Sequence, residues 1–249
     1  MPDAWFSLSP METGWIVLAA FLAGLVRGFT GFGSGLVFLP VAAQVLPPFG
    51  AILTMTLMDL FGPLPILRRA WNDVDRGDLG RLVLGCLLCL PLGLWALTRI
   101  PPEIFQLAVG LLALAMLGIL SLGLRYRGTV RRRMVTGIGG AAGVLGGVAG
   151  LPGPPVILFY MSRPLPVRII RATILLFLLS YDLLLVGYMG AFGRLEPGFA
   201  LLGVLMALPN MAGNMLGGWL FRPEQERFYR GIAYVLIALA ALSGLPIWE

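Results

Sequence analysis

Two stretches, residues 14–47 and 134–162, constrain this chain more than anything else in it. Each is apolar and too long for a single helix. Each is also broken near its middle by glycine and proline, RGFTGFGSGLVFLP in the first and AGLPGPP in the second. Around them lie apolar runs at residues 50–67, 79–98, 104–123, 170–190, 198–220 and 231–247, each close to the roughly 20 residues a helix needs to cross a bilayer core. The 249 residues are 58% hydrophobic and 12% charged, and no polar stretch approaches the roughly 50 residues of a soluble domain. The composition defines an all-α polytopic membrane protein with a single membrane domain. A break at membrane depth is then the anomaly, because backbone without helix partners is tolerated there only inside protein or beside a watery cavity.

The two broken stretches resemble each other. AGLVRGFTGFGSGLVFL from Ala23 set over AGVLGGVAGLPGPPVIL from Ala142 matches Gly24 with Gly143, Gly28 with Gly147, Gly31 with Gly150 and Leu39 with Leu158. With small gaps, Asp59 falls near Asp182, Gly85 opposite Gly203 and Pro91 opposite Pro209. We expect a duplicated unit, residues 14–123 and 134–247, each copy a broken segment followed by three crossings, joined by the loop 124–133.

Arginine sets the expected orientation, since cytoplasmic loops carry the basic excess. The net charge of +6 is 18 arginines against 12 acids, with neither lysine nor histidine in the chain. In a membrane protein these arginines report topology, so nucleic acid is not an expected partner. The joining loop, RYRGTVRRR, should be cytoplasmic. If each broken segment enters and leaves on one side, as a re-entrant hairpin or two short crossings, only Arg99 and Arg194 among the loop arginines lie outside. If each crosses once, Arg163, Arg168, Arg171, Arg222, Arg227 and Arg230 also move outside, so we reject single crossing. Each half then has odd parity, the halves are inverted-topology repeats, and both termini lie outside. Secondary transporters are built this way, with sites at the repeat interface near the midplane. The opening MPDAWFSLSPMETGW has Asp3 and Glu12 but no base before the first apolar run, so we expect it to be retained rather than cleaved.

Within GFTGFGSG, Gly31, Gly33 and Gly35 permit left-handed backbone and close ligand approach. A helix starting near Ser34 would aim unpaired amides and its dipole into the break, an arrangement that binds anions. Gly150 and Gly153 are expected to do the same in the second copy, with Pro154 and Pro155 in the first turn of the next helix. The candidate substrate-binding residues are therefore Arg27, Thr30, Gly31, Gly33, Ser34, Gly35, Gly150, Gly153, Asn210 and Asn214. Arg27 serves either substrate attraction or a structural ion pair. Asn210 and Asn214 share a helix face and either line the pathway or bond across helices. Asp59 and Asp182 fall mid-helix, where an acid marks proton coupling or pairs with a cation such as Arg27. Gly24, Gly139, Gly140 and Gly143 suit close helix packing.

Several chemistries lack their parts. Without histidine there is no Ser/His or Cys/His pair and no metal-ligand cluster, so catalytic residues, metal and cofactor are all expected to be absent. Cys86 and Cys89 form a C-x-x-C inside an apolar helix, where small packing residues fit better than redox chemistry. The letters G-x-G in GFGSG precede no soluble sheet and make no nucleotide loop.

The tandem GFTGFGSGLVFLP and GGVAGLPGPPVILFY, each opening one half of the chain, resembles the sulfite exporter TauE/SafE family across nearly the whole sequence. The second copy departs from the family's glycine pattern at Pro152, Pro154 and Pro155. The resemblance implies a transporter of sulfite, sulfoacetate or related small sulfur anions, often in organosulfonate metabolism. We expect a secondary transporter moving such an anion across a plasma membrane, compatible with a bacterial inner membrane, by alternating access, with a coupling proton or cation and lipid as its other partners. The alternatives are a passive anion channel sharing the same helix ends and a scaffold whose breaks only pack.

Overall fold

The computed structural model describes residues 8–62, 67–122, 132–161, 163 and 165–245, and in these the chain is helical with no strand. Most of the joining loop 124–133 lies outside the described residues, as do both ends of the chain.

Local sequence explains the first broken segment. Ser9 caps α1 (Pro10–Thr30) in a capping box: the Glu12 amide donates to the Ser9 hydroxyl, and the Ser9 amide donates to the Glu12 carboxylate at 2.7 Å. The helix ends on Gly31 in the left-handed region, φ 82, its amide bonded to the Arg27 carbonyl. Residues 31–33 form the break, and Gly33, φ 92, is the N-cap of α2 (Ser34–Ala42). Only glycine adopts these angles without strain. Downstream come α3 (Pro48–Leu60), α4 (Leu67–Asp73), α5 (Arg76–Leu97) and α6 (Pro102–Leu122).

The second broken stretch is built in the same way. α7 (Arg132–Ala149) ends at Gly150, φ 67, and α8 (Gly153–Met161) starts after residues 150–152. Then follow α9 (Val167–Ala191), α10 (Pro197–Leu220), a short 3-10 turn (Pro223–Gln225) and α11 (Glu226–Ser243). Ser34 and Gly153, first residues of the two inner helices, are aligned positions of the sequence comparison.

Among the described residues five helices, α1, α5, α6, α9 and α10, are long and apolar enough to cross a membrane. The crossing expected over 50–67 stops instead at Leu60, giving a helix of 13 residues or roughly 20 Å. That is shorter than the ~30 Å hydrocarbon core. Apolarity continues through Phe61 and Gly62, so composition alone could not place the end.

The helices are held by two glycine seams that exchange partners between the halves: α1 packs along α10, and α5 along α7. A Cβ on Gly28 would lie 2.6 Å from the Asn214 carbonyl oxygen, and one on Gly147 would lie 2.7 Å from the Leu94 amide nitrogen. Gly24 and Gly213 likewise abut the backbone of Asn210 and Phe21, and Gly139 and Gly85 that of Leu82 and Thr136. Such backbone contact is how membrane helices gain packing without a hydrophobic drive between them. It fulfils the packing role expected of Gly24, Gly139 and Gly143, and Cys86 and Cys89 belong to the same α5 face, the Cys89 sulfur lying against Gly140. Gly93 meets Gly147 as Gly217 meets Gly28, so α5 and α10 correspond in the packing six residues out of step with the expected pairing of Pro91 and Pro209. Away from the seams, Leu84, Leu88 and Leu92 on α5 and Leu208 and Met215 on α10 are exposed, the surface a lipid-facing helix presents. Trp95 and Trp219, near the ends of those helices, suit the interfacial belt.

Candidate substrate site

The two breaks meet. A cavity of about 60 Å³ is walled by Gly33, Ser34 and Gly35 from the first and by Gly150, Leu151, Pro152, Gly153 and Pro154 from the second. Asp59 and Thr56 of α3 and Tyr181 and Asp182 of α9 complete its polar wall, with Met55, Met116, Ile157 and Leu178 among its apolar members. It has room for a few waters or one small ion.

The starts of α2 and α8 both face this cavity, but they are not equal. The Gly31 and Gly150 amides are used to end α1 and α7, bonding to Arg27 and Gly146 carbonyls at 2.7 and 2.8 Å. They therefore act as stop signals, with both amides already bonded within the chain. In the first break the Leu36 amide turns back on the Gly33 carbonyl, leaving Gly33, Ser34 and Gly35 as donors. In the second, Pro154 and Pro155 have no N–H, so the first turn of α8 offers fewer amides than that of α2. Of the glycines expected to need left-handed backbone, Gly35 and Gly153 do not. Each is helical and matters for space: a Cβ at Gly35 would come within 3.1 Å of Leu151, and one at Gly153 within 3.1 Å of Ile157.

The charges are arranged behind the first break. Ser34 Oγ donates to Asp59 Oδ2 at 2.6 Å, and the Arg27 guanidinium stands 2.9 Å from Asp59 Oδ1, the two side chains being 11% and 13% exposed. Arg27 and Asp59 approach as charges without an aligned hydrogen bond. Of the two roles open to Arg27, the geometry gives it the ion pair, outside the cavity wall. Thr30 also lies off the wall. Its hydroxyl is bound to the carbonyls of Val26 and Phe32, so it shapes the turn. Asn210 is fully buried in the α1–α10 seam, its amide donating to the Ala20 carbonyl at 3.3 Å, and Asn214 lies against Gly24 and Gly28 in the same seam. Neither asparagine reaches the cavity. Asp182 does, 8% exposed, with no hydrogen bond or ion pair among the described residues.

Sequence reasoning passed over two features. Tyr181 is buried with its hydroxyl donating to the Gly146 carbonyl at 2.8 Å, packed where any side chain on residue 146 would sit. Gly146 within the run GVLGG was the available signal. Asp78 is a buried hub, accepting from Arg81 at 3.0 Å and Tyr160 at 3.2 Å and paired with Arg163 beyond α8. It ties the start of α5 to the end of α8. Its place in the charged loop sequence DVDRGDLGR concealed it.

Paired broken helices around a small cavity, within a bundle of membrane-length helices, are the arrangement found in integral membrane proteins of the transporter class. The chain matches the family described as Sulfite exporter TauE/SafE over residues 16–243, nearly its whole length, and it belongs to that family. No curated protein and no solved structure matches it.

Proposed function

We propose that this protein is a secondary transporter of a small sulfur oxyanion, sulfite or an organosulfonate, carried by alternating access across the plasma membrane. The observation supporting this most directly is the cavity between the two helix starts. Backbone amides at Gly33, Ser34 and Gly35, helped by Leu151 and Gly153 opposite, are fixed donors for anion oxygens, and each inner helix adds the positive end of its dipole. Donors without full charge hold the anion and still release it. In this proposal the halves 14–123 and 134–247 are inverted repeats with the loop 124–133 cytoplasmic, and they rock about the cavity they share. The partner exchange along the glycine seams supports that reading. Each half supplies one long helix to a seam with the other, so the halves are interlocked and can still pivot.

Thermal unfolding of the purified protein with sulfite, thiosulfate, sulfoacetate, sulfate, phosphate and acetate tests the site. A ligand at about 100 times its Kd stabilises by about 2.7 kcal/mol, and at roughly 2–4 °C per kcal/mol for a chain this size the melting temperature rises by about 5–10 °C. The expected result is a rise confined to sulfur oxyanions and lost in Gly33→Leu, where φ 92 admits no side chain without strain. A rise that persists in Gly33→Leu refutes the site, and no rise with any of these anions refutes the substrate class.

A further inference from the structure

An anion between these helix starts meets two carboxylates, and the structure treats the two differently. Asp59 is committed, accepting from Ser34 at 2.6 Å and facing Arg27 at 2.9 Å, so its charge is already balanced. Asp182 is nine-tenths buried on the same wall with no such partner among the described residues.

The neighbouring elements supply no cation to Asp182. From α3 it faces Asp59, with Arg27 of α1 behind that pair, and from α2 the Ser34 hydroxyl, already given to Asp59. Tyr181 beside it on α9 is turned to the Gly146 carbonyl of α7, and the arginines of α7, Arg132 and Arg133, are exposed. α5 brings the buried thiol of Cys86 near Tyr181, while its charged start, Arg76, Asp78 and Arg81, lies off the cavity wall, with Asp78 and Arg81 in the hub that also holds Tyr160 of α8 and Arg163 beyond it. α4 carries Arg68, Arg69 and Asp73, none on the cavity wall, and both arginines are exposed.

A bare carboxylate here would repel the ligand that the amides attract. A neutral carboxyl would instead donate an O–H to an anion oxygen, the stronger kind of hydrogen bond. We propose that Asp182 carries a proton whenever an anion occupies the cavity, so that one proton and one anion load and unload together. This rests on the anion-transport reading and names its coupling partner. The proton comes from water on the side where the anion enters and returns to water where it leaves. Asp59 is a positioning residue, which fixes Ser34 at the start of α2.

Binding and proton uptake are measured together on purified wild-type protein and Asp182→Asn. The ligand is sulfoacetate, whose own charge is constant from about pH 6 to 9. Linkage requires reciprocity between the two ligands. Where the empty wild-type protein has lost the proton, sulfoacetate binding should weaken about tenfold per pH unit, with about one proton taken up per anion in weak buffer. Asp182→Asn should bind with an affinity independent of pH and take up none. Wild-type binding without proton uptake across this range overturns the inference, as does a slope kept in Asp182→Asn but lost in Asp59→Asn. Binding that follows sodium concentration instead of pH also overturns it. Should Asp182→Asn fail to fold, the wild-type proton count decides alone. Absence of binding by any sulfur oxyanion at any pH overturns the transport reading itself, and this inference with it.

Discussion

Removing the Arg27 guanidinium tests how strongly its charge holds Asp59, beyond the Ser34 hydrogen bond. The two groups stand 2.9 Å apart, 11% and 13% exposed, so solvent screens them little. Opposite charges about 4 Å apart attract by about 4 kcal/mol at an effective dielectric near 20. Desolvation offsets much of that in the intact pair, but losing one member leaves the other buried and uncompensated, at a cost of about 3–5 kcal/mol. Arg27→Met and Asp59→Asn should each destabilise by about that much. The double variant should lie well short of their sum, with a coupling energy of at least about 2 kcal/mol. The assay is reversible unfolding of the four proteins in mixed micelles with increasing dodecyl sulfate. Additivity within about 0.5 kcal/mol would refute the argument. It would return Arg27 to the other role its sequence position allowed, attraction of the substrate.

The packing and the buried hub each make further tests possible. Gly24→Ala and Gly143→Ala push Cβ atoms into the backbones of Asn210 and Cys86, and each should lower stability by about 1–3 kcal/mol in the same unfolding assay. Gly14→Ala and Gly118→Ala, helical with open space around them, should be neutral or stabilising by up to about 1 kcal/mol. Asp78→Asn strips charge from an acceptor serving two arginines and a tyrosine and should cost about 3 kcal/mol or more. Arg81→Gln, at the more exposed end of the hub, should cost under about 1 kcal/mol, and equal losses from the two variants would refute the hub.

The position of the breaks was legible because it is written in local chemistry. Glycine ends one helix, glycine or proline admits the next, and the same grammar recurs in both broken stretches. Thus α2 starts at Ser34 and α8 two residues before Pro155, as the sequence implied. What a residue faces once helices pack was not legible. Asn210 and Asn214 share a helix face, but whether that face turned to a seam or to the cavity depended on α1, nearly two hundred positions earlier. Asp59 and Asp182 look alike as mid-helix acids, and only the approach of Arg27 and Ser34 to one of them separates their roles. The amides of Gly31 and Gly150 could not be assigned until the preceding helices were seen to end on them.

The α1–α10 seam also sets a timetable. The bond from Asn210 to the Ala20 carbonyl spans 190 positions. At about 5–20 residues per second of synthesis, α1 leaves the ribosome some 10–40 seconds before its packing partner exists. Asp59 reaches Arg27 early in that interval, so the charge is neutralised soon, but the glycine-lined face of α1 must wait beside lipid or the insertion machinery. α7 meets no such delay, because α5 is already made when it emerges. The α5–α7 seam can therefore close before the α1–α10 seam, and α1 is among the last of these helices to find its place.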